Sequence, residues 1–182
     1  MQLTQEEEPV DAAVSQLPTS ARTRTVTWED PLPAAAEGRS LAGIDYLRGI
    51  LAGRFPAPPI ARLLGFDLGE VGHGWASFSF EPGEHHYNPI GVVHGGLAGL
   101  IADSAMGCAV HSTLPAGAGY TTLEFKVNLV RPITMDTGRV RVLGEVVHRG
   151  SRIATAEARV QDADGRVLAH ATTTCLIVGP ER

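Results

Sequence analysis

The chain has 182 residues, enough for one domain with a sizeable core, and its 43% hydrophobic and 19% charged content is that of a globular protein. A net charge of -5 argues against nucleic acid or an anionic membrane as partner, because both reward clustered Lys and Arg. Cys108 and Cys175 form neither a disulfide framework nor a zinc-spaced cluster, and both read as buried, reduced thiols.

The first residues, MQLTQEEEPV, are acidic where a signal peptide needs positive charge before an apolar run, and no stretch approaches the roughly 18 apolar residues of a membrane span. A soluble, cytoplasmic protein is expected. Residues 1–39 lack a hydrophobic period and are rich in Glu, Pro, Thr, Ser and Ala, so they are read as a flexible arm before a folded domain over 40–182. A helix is expected after Ser40, with Leu41, Ile44, Leu47 and Leu51 on one face and Gly53 as its stop. FPAPPI breaks it, and Ala61–Leu64 has room for one helical turn before Gly65. FDLGEV and WASFSF then read as strands, followed by the polar loop EPGEHHYNPIG.

From Gly95 to Val110 almost every residue is small or apolar, which predicts a helix buried on all sides. Its glycines lower helix propensity and persist where another backbone comes close. Four extended runs follow, YTTLEFKVNLVRP, GRVRVLGEVVHRG, SRIATAEARVQD and GRVLAHATTTCLIV, with short turns such as Asp162–Gly165 between the later ones. Strands in succession rather than alternation with helices give an α+β class, with one antiparallel sheet wrapped around one long central helix.

Asp103 is the one acid of that helix, with Gly96, Gly99, Leu100, Met106, Gly107 and Val110 at helical spacing around it. A carboxylate there is costly unless paired or hydrogen-bonded, and such groups concentrate at working sites. It is therefore the candidate general base or nucleophile, set against a structural Asp satisfied by backbone groups or Ser104. Gly95 and Gly96 open the helix, where free N–H groups and partial positive charge can hold a developing oxyanion, although a Gly pair also serves a tight turn. Gly95 and Asp103 stand eight residues apart, about 12 Å along one helix. One substrate carbon reaches both only if the Asp belongs to a second subunit with its helix antiparallel, so the chemistry itself calls for a homodimer.

The string NPIGVVHGGLAGLIAD resembles the signature of the PaaI-type hotdog thioesterases, and TTLEFKVNLVRP is similar to that family's next strand. The resemblance runs from about residue 60 to 178. It implies a hotdog fold, dimers that often pair into tetramers, and hydrolysis of aryl, arylacetyl or medium-chain acyl-CoA without metal or cofactor. Position by position it implies Asp103 as the catalytic acid, Gly95 as the oxyanion amide, Asn88 and His94 as loop residues shaping the site, and Thr122 as a positioning hydroxyl. Gly96 falls beside them on the substrate side. Arg149, Gly150, Ser151 and Arg152 fall where the family meets the CoA nucleotide, in a turn that otherwise reads as a solvated hairpin tip. Glu124 is a possible second acid, with an edge ion pair as its plainer reading.

The other histidines, His73, His85, His86, His111, His148 and His170, form no cluster with metal-ligand spacing, and Ser104 lies in no GxSxG elbow. Two competitors share the fold: a non-catalytic acyl-CoA binder, for which a buried acid has no use, and an enoyl-CoA hydratase, which wants a His a few residues from its Asp.

Overall fold

The computed structural model describes residues 20–179, so the first nineteen residues of the expected arm lie outside it. Within the rest of that arm, Pro31–Gly38 form a helix, α1. Asp30 caps it by accepting a hydrogen bond from the Leu32 N–H at 2.9 Å, and Pro31 takes a first-turn position that needs no donor. Arg24 anchors the preceding segment by donating to the Leu63 carbonyl at 2.9 Å. The expectation of an arm through residue 39 fails here because a capped, Pro-started turn carries no hydrophobic period to be read.

Helix α2 spans Gly43–Leu51 and α3 spans Pro59–Leu64, closed by Gly65 in the left-handed region at φ 70°. Strands β1 (Phe66–Gly72) and β2 (Trp75–Phe80) form a hairpin, and a short 3-10 turn at Glu84–His86 leads toward the central helix α4, Gly95–His111. Strands β3 (Gly119–Leu129), β4 (Val140–Arg149), β5 (Ile153–Gln161) and β6 (Val167–Val178) complete one six-stranded sheet. Its order is β1-β2-β4-β5-β6-β3, and every neighbouring pair is antiparallel.

The sheet wraps α4. Ile101, Ala102, Ala105, Met106 and Val110 of the helix are fully buried against Ala76, Phe78, Val142 and the small residues Ala154, Ala156, Ala158 and Ala171. Small side chains on β5 and β6 let the helix sit close, and Gly144 on β4 is where the helix backbone passes: a Cβ there would collide with the main chain of Ala105.

The wrap is incomplete, which corrects the expectation of a helix buried on all sides. Gly96 is exposed, and Leu100, Asp103, Ser104, Cys108 and His111 are half-buried. At spacings of three and four these residues form one stripe along α4. The stripe stays open because β3, beside it, is the last strand of the sheet and has no further neighbour.

Candidate functional site

Two groups of candidate residues lie along α4, one at its start and one at its middle. At its start, the chain from His86 to Gly95 is pinned by backbone bonds: His94 N–H to the His86 carbonyl at 2.8 Å, and Val93 N–H to the Ile133 carbonyl at 2.8 Å. His86 is buried beneath this loop; its Nδ1 accepts from Gly83 N–H at 3.0 Å, so its Nε2–H donates to the Leu64 carbonyl at 2.8 Å. Asn88 holds the turn from inside. Its Oδ1 accepts from the amides of Ile90 at 3.0 Å and Val92 at 3.3 Å, while Gly91 takes φ 80°.

His94 is the N-cap of α4, and its Nδ1 accepts from Gly96 N–H at 3.0 Å. Its carbonyl accepts from Leu97 N–H at 2.9 Å. The Gly95 N–H is left without an acceptor among the described residues. A half-buried amide at a helix start, with the dipole behind it, is suited to a developing negative charge. Leu129 crosses Gly95 so closely that any side chain there would strike it. A cavity of about 330 Å³ opens at this end, between Asn88–Gly95 and Leu129–Ile133.

In the middle of α4, Asp103 is half-buried rather than enclosed, and Thr122 Oγ1 donates to its Oδ1 at 2.9 Å. Ser104 instead donates to the Leu100 carbonyl at 3.0 Å, so it does not satisfy the neighbouring carboxylate. The orientation of Thr122 comes from a bulge in β3. Tyr120 and Thr122 pair with Ile177 and Cys175, then the register slips, and Phe125, Val127 and Leu129 pair with Thr173, Ala171 and Ala169 on the same helix-facing side. Glu124 pairs with Thr174 on the outer face, which removes it as a second acid beside Asp103.

The surroundings of Asp103 are reluctant to ionise. Burial, with a contribution from the Asp103 charge, pushes the Cys108 thiol up to about 12. Burial, then Cys108, Cys175 and Asp103, hold the Tyr120 phenol well above its ordinary value. Neither group is a nucleophile or base at neutral pH, and Asp103 is the acid that remains.

Arg149, Gly150, Ser151 and Arg152 form the β4–β5 turn, closed by Gly150 N–H to the Ile153 carbonyl at 2.8 Å, with both Arg side chains exposed. Ile153 pairs with Leu176, which pairs with Thr121, so this turn lies at the Thr122 end of the sheet. Thr121 is eight residues from Leu129, about 27 Å along an extended strand, so one chain keeps the turn far from Gly95. The structure thus joins Asp103 to Thr122, joins Asn88, His94, Gly95 and Gly96, and joins neither group to the other.

One feature escaped the sequence reading. Cys108, His111 and Tyr120 form the floor of a second cavity of about 390 Å³, roofed by residues of α1 and α2. His111 lies eight residues after Asp103 on the same helical face, and that spacing was the available signal. The roof gave none, because it includes the segment read as an arm. Among the described residues no three His, Cys, Asp or Glu side chains are grouped to hold a metal ion, and no helix is long and apolar enough to cross a membrane.

The family model described as the thioesterase superfamily matches residues 90–169, from the Asn88 loop to β6. Among solved structures, a conserved protein from Pseudomonas aeruginosa is 30% identical over 67% of this chain and 95% of its own, with a TM-score of 0.63. A phenylacetic acid degradation-related protein from Ralstonia eutropha JMP134 is 28% identical over 72% and 98%, with a TM-score of 0.65. The PaaI protein of Escherichia coli is 18% identical over 77% and 97%, also at 0.65, a likeness of fold. No curated protein matches. The matched loop, helix and strands, with their sheet wrapped around α4, show that this chain belongs to the thioesterase superfamily and has its hotdog fold.

Proposed function

We propose that the protein hydrolyses acyl-CoA thioesters to a free acid and CoA, at two equivalent sites shared across a homodimer. The observation that carries this reading is Asp103, hydrogen-bonded to Thr122 on the open stripe of α4, with the Gly95 amide left free half the helix away. As general base, Asp103 takes a proton from water while the hydroxyl adds to the thioester carbon. The resulting oxyanion is held by the partner's Gly95 amide, and its collapse expels the CoA thiolate, which recovers the proton from Asp103. As nucleophile, the carboxylate itself adds to that carbon and expels the CoA thiolate; water then opens the mixed anhydride, releasing the acid, restoring the Asp103 carboxylate and supplying the thiolate's proton.

Strand β3 supports the dimer. It is an eleven-residue edge whose Leu123, Phe125 and Leu129 are exposed, as is Val130 just after it, a surface that unpartnered proteins avoid. A second copy laid along it about a twofold axis sets the two α4 helices antiparallel and brings one Gly95 toward the other Asp103. The same arrangement carries the partner's Arg149–Arg152 turn toward the Asn88–Gly96 loop, where a CoA phosphate would find Arg. Pairing of dimers into tetramers belongs to the same proposal. The Ralstonia relative favours an arylacetyl group, beside aryl and medium-chain acyl groups. The unpaired thiols of Cys108 and Cys175 accord with a cytoplasmic location.

The hydratase alternative lacks its His: His94 caps its own helix, and neither it nor His111 bonds to Asp103. The test is CoA release from a panel of acyl-CoA thioesters by wild type and Asp103→Asn of equal oligomeric mass. Loss of at least about a hundredfold in kcat is expected. Binding without turnover by both proteins would instead establish a non-catalytic acyl-CoA binder.

A further inference from the structure

The second cavity is used by nothing described so far. Its floor is the C-terminal half of the open stripe of α4, Cys108 and His111, together with Tyr120 of β3. Its roof is Ala34 and Ala35 of α1 with Tyr46, Leu47 and Ile50 of α2. Among the described residues, no titratable group faces it apart from His111, two tyrosines and a thiol, and no Lys, Arg, Asp or Glu does. Burial holds the His111 imidazole below its usual value, so it is neutral at physiological pH, and its Nδ1 is buried without a hydrogen-bond partner. The roof is fixed. Arg54 of the α2–α3 loop pairs with Glu37 at the end of α1, the Tyr46 ring lies against Gly38, and the Gly117 amide donates to the Arg39 carbonyl at 2.9 Å.

The cavity is aligned with Asp103. Tyr120 precedes Thr122 by two residues on the same side of β3, and Cys108 follows Asp103 on the same stripe of α4. We propose that this cavity receives the acyl group of the substrate, and that α1 and α2, which lie outside the matched family region, set its length and polarity. The proposal rests on the thioesterase reading and names its substrate: an uncharged, apolar acyl group of medium length. From Asp103 to His111 is about 12 Å of helix, room for an extended chain of roughly ten carbons beyond the thioester. A carboxylate at the far end of such a chain would be desolvated with no cation to meet it, so an ω-carboxyl acyl group is rejected. Ala34 and Ala35 leave space where larger side chains would close it, and Ile50 limits depth from the α2 side.

The experiment compares kcat/KM for butyryl-, decanoyl- and sebacyl-CoA in wild type, Ala34→Phe and Ile50→Ala. Wild type prefers decanoyl-CoA to its ω-carboxylated counterpart sebacyl-CoA by at least about a hundredfold. Ala34→Phe lowers the decanoyl-to-butyryl ratio by at least about tenfold, the scale on which hydrophobic pockets discriminate, and Ile50→Ala moves the optimum to longer chains. Calorimetric binding of decanoyl- and butyryl-CoA to the same proteins reads the cavity separately from turnover. Thioester hydrolysis with an unchanged chain-length profile in both variants, or equal use of sebacyl-CoA, overturns the cavity assignment and leaves the hydrolase reading intact. Absence of hydrolysis with affinities shifted in the stated directions keeps the cavity and discards the hydrolase.

Discussion

Asp162 and Asp103 show two fates of a carboxylate in one chain. Asp162, at the β5–β6 turn, accepts from the amides of Asp164 at 3.0 Å and Arg166 at 2.9 Å, and from Arg166 Nε at 2.8 Å. Burial works to raise its pKa, but these bonds outweigh it, and the carboxyl sits below its ordinary value. A carboxylate depressed in the fold contributes stability above its unfolded pKa of about 4 and loses it as pH falls through the lowered value. Asp162→Ala should therefore lower Tm at pH 7, and the gap to wild type should close on acidification below about pH 4. A constant gap down to pH 2, followed by scanning calorimetry, would assign the turn's stability to something other than this carboxylate. Asp103 keeps one side-chain donor, Thr122, and an open side. A lone acid in an apolar helix was enough to single out Asp103 as a candidate. Its exposure was not, because the open face of α4 depends on where the sheet ends. Thr122 was legible only through family resemblance, since a strand Thr looks like any other β-former.

At the scale of elements, hydrophobic pattern located α2 and the six strands, and an unbroken run of small and apolar residues located α4. The α4 glycines, expected where another backbone comes close, meet side chains instead: Leu129 crosses Gly95, Phe125 and Val127 lie over Gly99, and Tyr120 lies on Gly107. The reciprocal position, Gly144 on β4, drew no notice, since one Gly in a strand carries no sign of what approaches it. Its φ is not left-handed, so its value lies in the missing Cβ. Gly144→Ala should push α4 off β4 and cost about 2 kcal/mol or more, read as a lower urea midpoint at unchanged m-value. A neutral effect would mean that the helix rides free of the sheet there. Helix α1 was missed for the opposite reason: eight residues held by a cap and by ties to α2 and the Gly117 loop have no period of their own.

For the whole molecule, the bulge in β3 has the largest reach. It keeps Tyr120 and Thr122 on the same side as Phe125, Val127 and Leu129 despite their differing parity, and no residue of TTLEFKVNL announces it. That apolar edge predicts a dimer. Light scattering should give twice the chain mass for wild type and a folded monomer for Leu123→Lys/Phe125→Lys, with thioesterase activity lost at least about a hundredfold because the proposed site draws on both chains. A wild-type monomer that turns over substrate would end the shared-site reading.

The sheet order also dictates a schedule. β3 leaves the central helix and pairs only with β6, whereas β5 pairs with both of its immediate neighbours in the chain, β4 and β6. A nascent chain therefore exposes an apolar helix and an unpaired strand until Val167–Val178 has been made, since synthesis runs from the N-terminus. The hairpins β1–β2, β4–β5 and β5–β6 form first, and the closures that join β2 to β4 and β3 to β6 carry the long-loop entropy and set the pace. Cutting the chain before β6 would leave β3, the strand beside Asp103, unpaired, so the proposed site is completed only by the last strand made.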